Sequence, residues 1–264
     1  MSNAFKIICG ILIGLVVIGM AFLIGLGIKN SSTKKTSSTT SKATNSINET
    51  STGKGEEKKM SDIDYAKAAE KQMALPNKGE EIAIIKVKNF GTMKAKFFPE
   101  VAPKAVENFI THSKEGYYDG LVFHRVINDF MIQGGDPTAT GTGGESIWGK
   151  GFGTELDYEY VPYRGSLCMA MSQLPNSIGS QFFITQAKYS EEKNNFWQTS
   201  YPVTLMNQYK KYGGYLSLYM QYTVLGQVYD GLDVLDAIAA VNTDPATDRP
   251  LPDVVIDSIT ITTY

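Results

Sequence analysis

The chain has 264 residues, a formal net charge of -2 and 42% hydrophobic residues. Its two cysteines are Cys9 in an apolar terminal run and Cys168 in a strand-like segment, which argues against an intramolecular disulfide and leaves the redox compartment open. No nucleic-acid partner is expected, and no cluster of His, Cys or carboxylates has metal-ligand spacing, so no metal or other cofactor is expected either.

Residues 7–28 are 22 residues without a charge, bracketed by Lys6 and Lys29. As a helix that run spans roughly 33 Å, enough for a bilayer core. A cleaved signal peptide would have a shorter apolar core and an A-x-A-like site, and a lipoprotein signal would place its cysteine at the end of the run rather than the start. The expected reading is an uncleaved transmembrane anchor over residues 1–29. Lys29, Lys34, Lys35 and Lys42 follow the helix, whereas only Lys6 and the α-amino group precede it, so flank charge favours a cytoplasmic C-terminal side. Long domains translocate largely regardless of charge, and the expected location is the cell membrane, single-pass, with the C-terminal domain outside the cytoplasm.

Residues 30–60 are rich in Ser, Thr and Lys with almost nothing apolar, and are expected to be a disordered linker. From Lys29 to Met60 there are seven Lys and three Glu; removing these and Lys6 leaves -7 for residues 61–264, an acidic domain on a basic stalk. Residues 61–80 are a lead-in, with a short helix over 62–74 and Ser61 as its candidate N-cap. Runs 81–89 and 92–98 alternate apolar and polar residues and predict a hairpin around Phe90-Gly91. Pro103 starts a second helix with Val106, Phe109 and Ile110 as its apolar stripe and Gly116 as its stop. Short apolar runs follow at 121–127, 166–171, 180–185 and 223–229. A last helix over 232–241 then precedes a closing strand over 254–264. Many short strands with two or three helices and no βαβ alternation point to an all-β barrel or sandwich.

Four segments carry a family resemblance. FHRVINDFMIQGGDPTATGTGGESIWG (123–149), MAMSQLPNSIGSQFFIT (169–185), YTVLGQVYDGLDVLDAI (222–238) and EIAIIKVKNFGTMKAKFFPEVAPKAVENF (81–109) resemble, in order, the motifs of cyclophilins. The resemblance covers residues 81–264, with a divergent insert near 189–216. It implies a closed eight-stranded antiparallel barrel capped by helices and a peptidyl-prolyl cis-trans isomerase activity with no cofactor. Its partners would be proline-containing unfolded or secreted polypeptides, and cyclosporin-type inhibitors with reduced affinity.

The chemistry has a clear physical demand. Rotation about an X–Pro bond crosses a barrier of ~18–20 kcal/mol set by amide resonance. A catalyst needs an apolar pocket for the proline ring and donors that favour the twisted amide over the planar one. The resemblance assigns catalysis to Arg125, Phe130 and Gln133. It gives Arg125 the role of cationic donor near the proline nitrogen and carbonyl. Substrate binding falls to Met131, Ala170, Met171, Gln181, Phe183, Leu218 and Tyr222, with Phe130, Met131, Phe183 and Leu218 walling the proline pocket. Three positions depart from the family: Met171 where Asn is usual, Ser217 where Trp is frequent, and Tyr222 where His is frequent. Without the resemblance, Phe130 and Phe183 read as core aromatics, Arg125 as one half of a structural ion pair, and the glutamines as partners of backbone groups. His124 reads as structural, since side chains adjacent on a strand face opposite ways. Two other functions compete: a binding module for proline-containing segments with little turnover, and a chaperone using the Tyr-rich insert that includes Tyr201, Tyr209, Tyr212, Tyr215, Tyr219 and Tyr222.

Overall fold

A computed structural model describes residues 59–194 and 201–264. The expected anchor and nearly all of the linker lie outside these residues. Among the described residues no helix is long and apolar enough to cross a membrane.

Eight strands form one antiparallel sheet: β1 (Glu81–Val87), β2 (Gly91–Phe97), β3 (Arg125–Ile127), β4 (Met131–Gly134), β5 (Ser166–Met169), β6 (Phe182–Thr185), β7 (Val224–Asp230) and β8 (Ile256–Thr263). Their order is β3-β4-β6-β5-β7-β2-β1-β8. The β1–β2 hairpin forms as its alternation predicts. Ala83, Ile85 and Val87 face inward opposite Met93 and Ala95, and Asn89 takes the left-handed φ of 68° that the turn needs. The expected closed barrel is corrected to an open half-barrel. The run 121–127 is a strand only over its last three residues. The edges β3 and β8 do not pair as strands, and the seam is spanned by the isolated bridge Val122–Val255.

Among the described residues five helices accompany the sheet: α1 (Tyr65–Met73), α2 (Pro103–Lys114), α3 (Glu191–Asn194), α4 (Val203–Tyr212) and α5 (Leu232–Ala239). Asp64, not Ser61, caps α1, accepting from the Lys67 amide at 3.1 Å; Ser61 lies one turn earlier, in a 3-10 turn over Met60–Asp62. The cap of α2 comes from far away. Its N-cap residue, Ala102, has no acceptor side chain, and Glu155 accepts from the amides of Lys104 at 3.1 Å and Ala105 at 2.9 Å.

The main core lies on the concave side of the sheet, where Val126, Ile132, Leu167, Phe182 and Ile184 meet Val106 and Phe109 of α2 and Leu235 and Ile238 of α5. A second core joins the lead-in to the insert: Tyr65 and Ala69 of α1 pack with Val161, Tyr163, Leu205, Tyr209 and Tyr219. Gln72 of α1 sits between them, donating to the Val161 carbonyl at 2.7 Å and accepting from the Val161 amide at 3.0 Å. The lead-in is therefore part of the folded domain, and four buried side chains of α1 hold it there.

Candidate active site

The alternation that turns Val126, Ile132 and Phe182 into the core turns their neighbours to the convex face. In the antiparallel register Arg125 lies opposite Gln133, Gln133 opposite Phe183, and Phe183 opposite Cys168. Directly opposed residues share a face, so one row across β3, β4, β6 and β5 presents a cation, an amide, an aromatic ring and a buried thiol. One pleat further on, Ile127 and Met131 form the next row. This face carries its own apolar cluster: Met131, Cys168, Phe183, Leu218 and Val224 are buried, and Phe130, Ala170, Tyr215 and Tyr222 are half-buried against them.

The structure thus brings nine of the expected site residues to one face of the sheet: Arg125, Phe130, Met131, Gln133, Ala170, Gln181, Phe183, Leu218 and Tyr222. Leu218 arrives on a 3-10 turn, Leu216–Leu218, at the end of the insert. Met171, the next residue after Ala170, stands at the rim, 36% exposed, outside the packed wall.

Aromatic contacts fix the walls. The Phe183 ring meets Tyr222 edge-on at 5.3 Å, and the Phe130 ring lies 4.6 Å from that of Tyr215. Tyr215 is a wall residue that the sequence did not single out as one. The only available signal was its place three residues before Leu218. The Phe130 carbonyl is held by the amides of Gln186 at 2.8 Å and Ala187 at 3.2 Å, which pins the turn between β3 and β4.

The two glutamines are locked together. Gln133 Nε2 donates to Gln181 Oε1 at 3.0 Å, and Gln181 Nε2 donates to the Gly143 carbonyl at 2.8 Å. The loop that supplies Gly143 is organised by Asp136, whose buried carboxylate accepts from the amides of Thr138, Thr140, Gly141 and Gly143 and from the Thr138 hydroxyl. Burial alone would raise the Asp136 pKa; the hydrogen bonds from Thr138, Gly143 and Gly141 overcome it and lower it to about 2. Gly135, at φ +85°, is required here, because a Cβ would stand 2.6 Å from the Ser180 carbonyl oxygen.

Arg125 lies at the groove edge with its side chain 37% exposed. Its Nε donates to Asp248 Oδ2 at 3.4 Å, and among the described residues no acceptor meets its Nη1 or Nη2. Burial raises the Tyr222 pKa, with the positive charge of Arg125 pulling it down. His124 is buried beside Gly141, and burial lowers its pKa; among the described residues neither ring nitrogen has a hydrogen-bond partner. Burial pushes the Cys168 thiol up, so the thiol stays protonated and inert beneath the groove.

A family model described as cyclophilin type peptidyl-prolyl cis-trans isomerase/CLD matches residues 82–261. A protein of Staphylococcus aureus (strain COL) named as a peptidyl-prolyl cis-trans isomerase is 49% identical over 183 residues, covering 69% of this chain and 92% of the relative. A like-named Staphylococcus epidermidis protein is 48% identical over the same length. A solved structure of a Cryptosporidium parvum cyclophilin type isomerase in the presence of the dipeptide Ala-Pro superposes with a TM-score of 0.56 at 34% identity. It covers 69% of this chain and 99% of that one.

Proposed function

Because the chain belongs to the cyclophilin-type peptidyl-prolyl cis-trans isomerases, we propose that the convex groove is where it turns over X–Pro bonds, in protein substrates outside the cytoplasm whose folding it assists. The observation that carries the assignment is the cross-strand row Arg125–Gln133–Phe183, with both terminal nitrogens of Arg125 unengaged among the described residues. The C. parvum relative was crystallised in the presence of the dipeptide Ala-Pro, the kind of ligand this reading requires.

In this reading the proline ring enters between Phe130, Met131, Phe183 and Leu218, which exclude water from it. Gln133 and Gln181 are already tied to each other and to Gly143, so they meet the substrate backbone without being ordered at that moment. Twisting the amide by about a quarter turn breaks resonance and leaves a lone pair on the proline nitrogen. Arg125 then donates an Nη–H to that nitrogen or the adjacent carbonyl oxygen, and the positive charge favours the twisted state over the planar one. No bond is made or broken and no proton is transferred. This suits a groove whose buried histidine and thiol have no access to the substrate.

A protease-coupled or exchange-NMR assay on an X–Pro peptide, with residues 59–264, tests the activity. The expected result is interconversion faster than the uncatalysed tens of seconds; a rate equal to the uncatalysed one would leave a binding module. The extracytoplasmic location is supported by the uncharged run at 7–28 and the Ser/Thr/Lys-rich run after it. Protease added to intact wall-stripped cells should remove the domain, and protection until the membrane is permeabilised would reverse the orientation.

A further inference from the structure

The loop between α5 and β8 reaches Arg125 across 123 residues of sequence. It is a compact turn. Asp244 Oδ1 accepts from the amides of Ala246 at 2.8 Å and Thr247 at 3.1 Å, and the Asp248 amide donates to the Asp244 carbonyl at 2.9 Å. The Leu251 amide closes its base on the Asn242 carbonyl at 2.8 Å. Two contacts fix the turn to the groove. The Val126 amide donates to the Asp248 carbonyl at 2.8 Å, one residue from Arg125. Arg249 pairs with Asp253 at 2.9 Å and reaches the Ala139 carbonyl at 3.4 Å, in the loop that Asp136 organises.

From this arrangement we infer that Asp248 is a positioning residue for Arg125: its carboxylate holds Nε so that Nη1 and Nη2 face the substrate. A guanidinium has five N–H donors on a rigid plane, and fixing one edge of that plane fixes where the other edge points. The Arg125 stem is long and its side chain 37% exposed, so without a partner it would sample several rotamers. Asp248 is itself preset. Its backbone is held from both sides, through its amide and its carbonyl, at a left-handed φ of 59°. Aspartate tolerates that conformation, and so do asparagine and glycine.

The inference rests on the catalytic reading of Arg125, and a four-cornered comparison separates the two: wild type, Arg125→Ala, Asp248→Gly and the double variant. Glycine is chosen because it keeps the left-handed turn, which alanine would strain. Asp248→Gly should lower kcat/KM on an X–Pro peptide by about five-fold, the most an exposed ion pair supplies. Its melting should match the wild type, and it should cost nothing further in the Arg125→Ala background. Asp248→Asn, which keeps an acceptor but no charge, should fall between Asp248→Gly and the wild type. The gap between Asp248→Asn and wild type should close in 1 M salt, where the Debye length is about 3 Å. Wild-type kcat/KM in a folded Asp248→Gly protein, with Arg125→Ala impaired, overturns the inference alone, as does an equal loss from Asp248→Gly whether or not Arg125 is present. Wild-type turnover in Arg125→Ala overturns the catalytic reading beneath it.

Discussion

Removing the guanidinium with Arg125→Ala is the most informative single perturbation. Its size follows from the setting. Two unit charges about 3.5 Å apart interact by about 5 kcal/mol at an effective dielectric of 20 and about 1 kcal/mol in water, and the partial charge of a developing lone pair takes a fraction of that. Arg125 lies between these limits, with its side chain 37% exposed and Asp248 at 3.4 Å offsetting part of its charge. Only the part of that interaction gained on twisting lowers the barrier. Deleting one preorganised donor from an enclosed site costs about 2.7–4 kcal/mol, and a half-open site belongs at the lower end. The expected loss is therefore about 100-fold in kcat/KM at 1.36 kcal/mol per tenfold. Because the interaction is made only in the transition state, kcat should fall with it while KM holds. The assay is turnover of an X–Pro peptide, with circular dichroism and melting to establish folding. A folded Arg125→Ala protein within about threefold of wild type would refute the mechanism, since that is below 1 kcal/mol.

Three further outcomes are expected. Tyr215→Ala removes the ring against Phe130 and should raise KM about five-fold with kcat held, from an aromatic pair worth about 1 kcal/mol; unchanged peptide titration would count against Tyr215 as a wall. Asp136 has a folded pKa of about 2, below its unfolded value, so its stabilisation is complete above about pH 4 and is lost as the pH falls through 2. Asp136→Asn should thus be less stable than wild type at pH 7 by about 2 kcal/mol, and in urea titrations most of the difference should be gone at pH 2 and the rest below it; a gap as large at pH 2 as at pH 7 would place the effect elsewhere. Deleting residues 59–79 removes Tyr65, Ala69 and Gln72 from the second core and should abolish cooperative melting or lower it steeply, whereas a chain starting at Ser61 keeps α1 and should keep full turnover; equal melting of the two would detach the lead-in from the fold.

The strands and helices that build the groove were legible because their patterns are local. The alternation in 81–98 and the Pro103 start and Gly116 stop of α2 all reappear within a residue or two. What escaped is set by contacts between distant segments. The run 121–124 has the apolar content of a strand, yet its backbone bonds the chain around 254–256 rather than a strand beside it, so the sheet ends where closure was expected. Ser61 lost the cap of α1 to Asp64 because the intervening residues form a 3-10 turn, which no apolar period announces. Glu155 caps α2 from about 50 residues away, and Asp248 meets Arg125 from 123 away, distances at which spacing carries no signal. The groove residues were placed through family motifs; Arg125 alone reads equally well as half of a surface ion pair, and it does make one.

That ion pair shows how one strand pattern serves two ends. Along β3, β4, β6 and β5 the residues facing the core are Val126, Ile132, Phe182, Ile184 and Leu167, all buried. Those facing out are Arg125, Gln133, Phe183 and Cys168. A one-residue slip of any of these strands would exchange the two sets, placing a guanidinium in the core and a valine in the groove. The core therefore fixes the register of the groove: each buried apolar side chain that resists a slip also holds its polar neighbour outward. Substitutions on the inner face should act on stability and leave the chemistry of surviving molecules intact. Substitutions at Arg125 or Gln133 should act on turnover with little change in melting, because neither side chain contributes to the buried core on the other face.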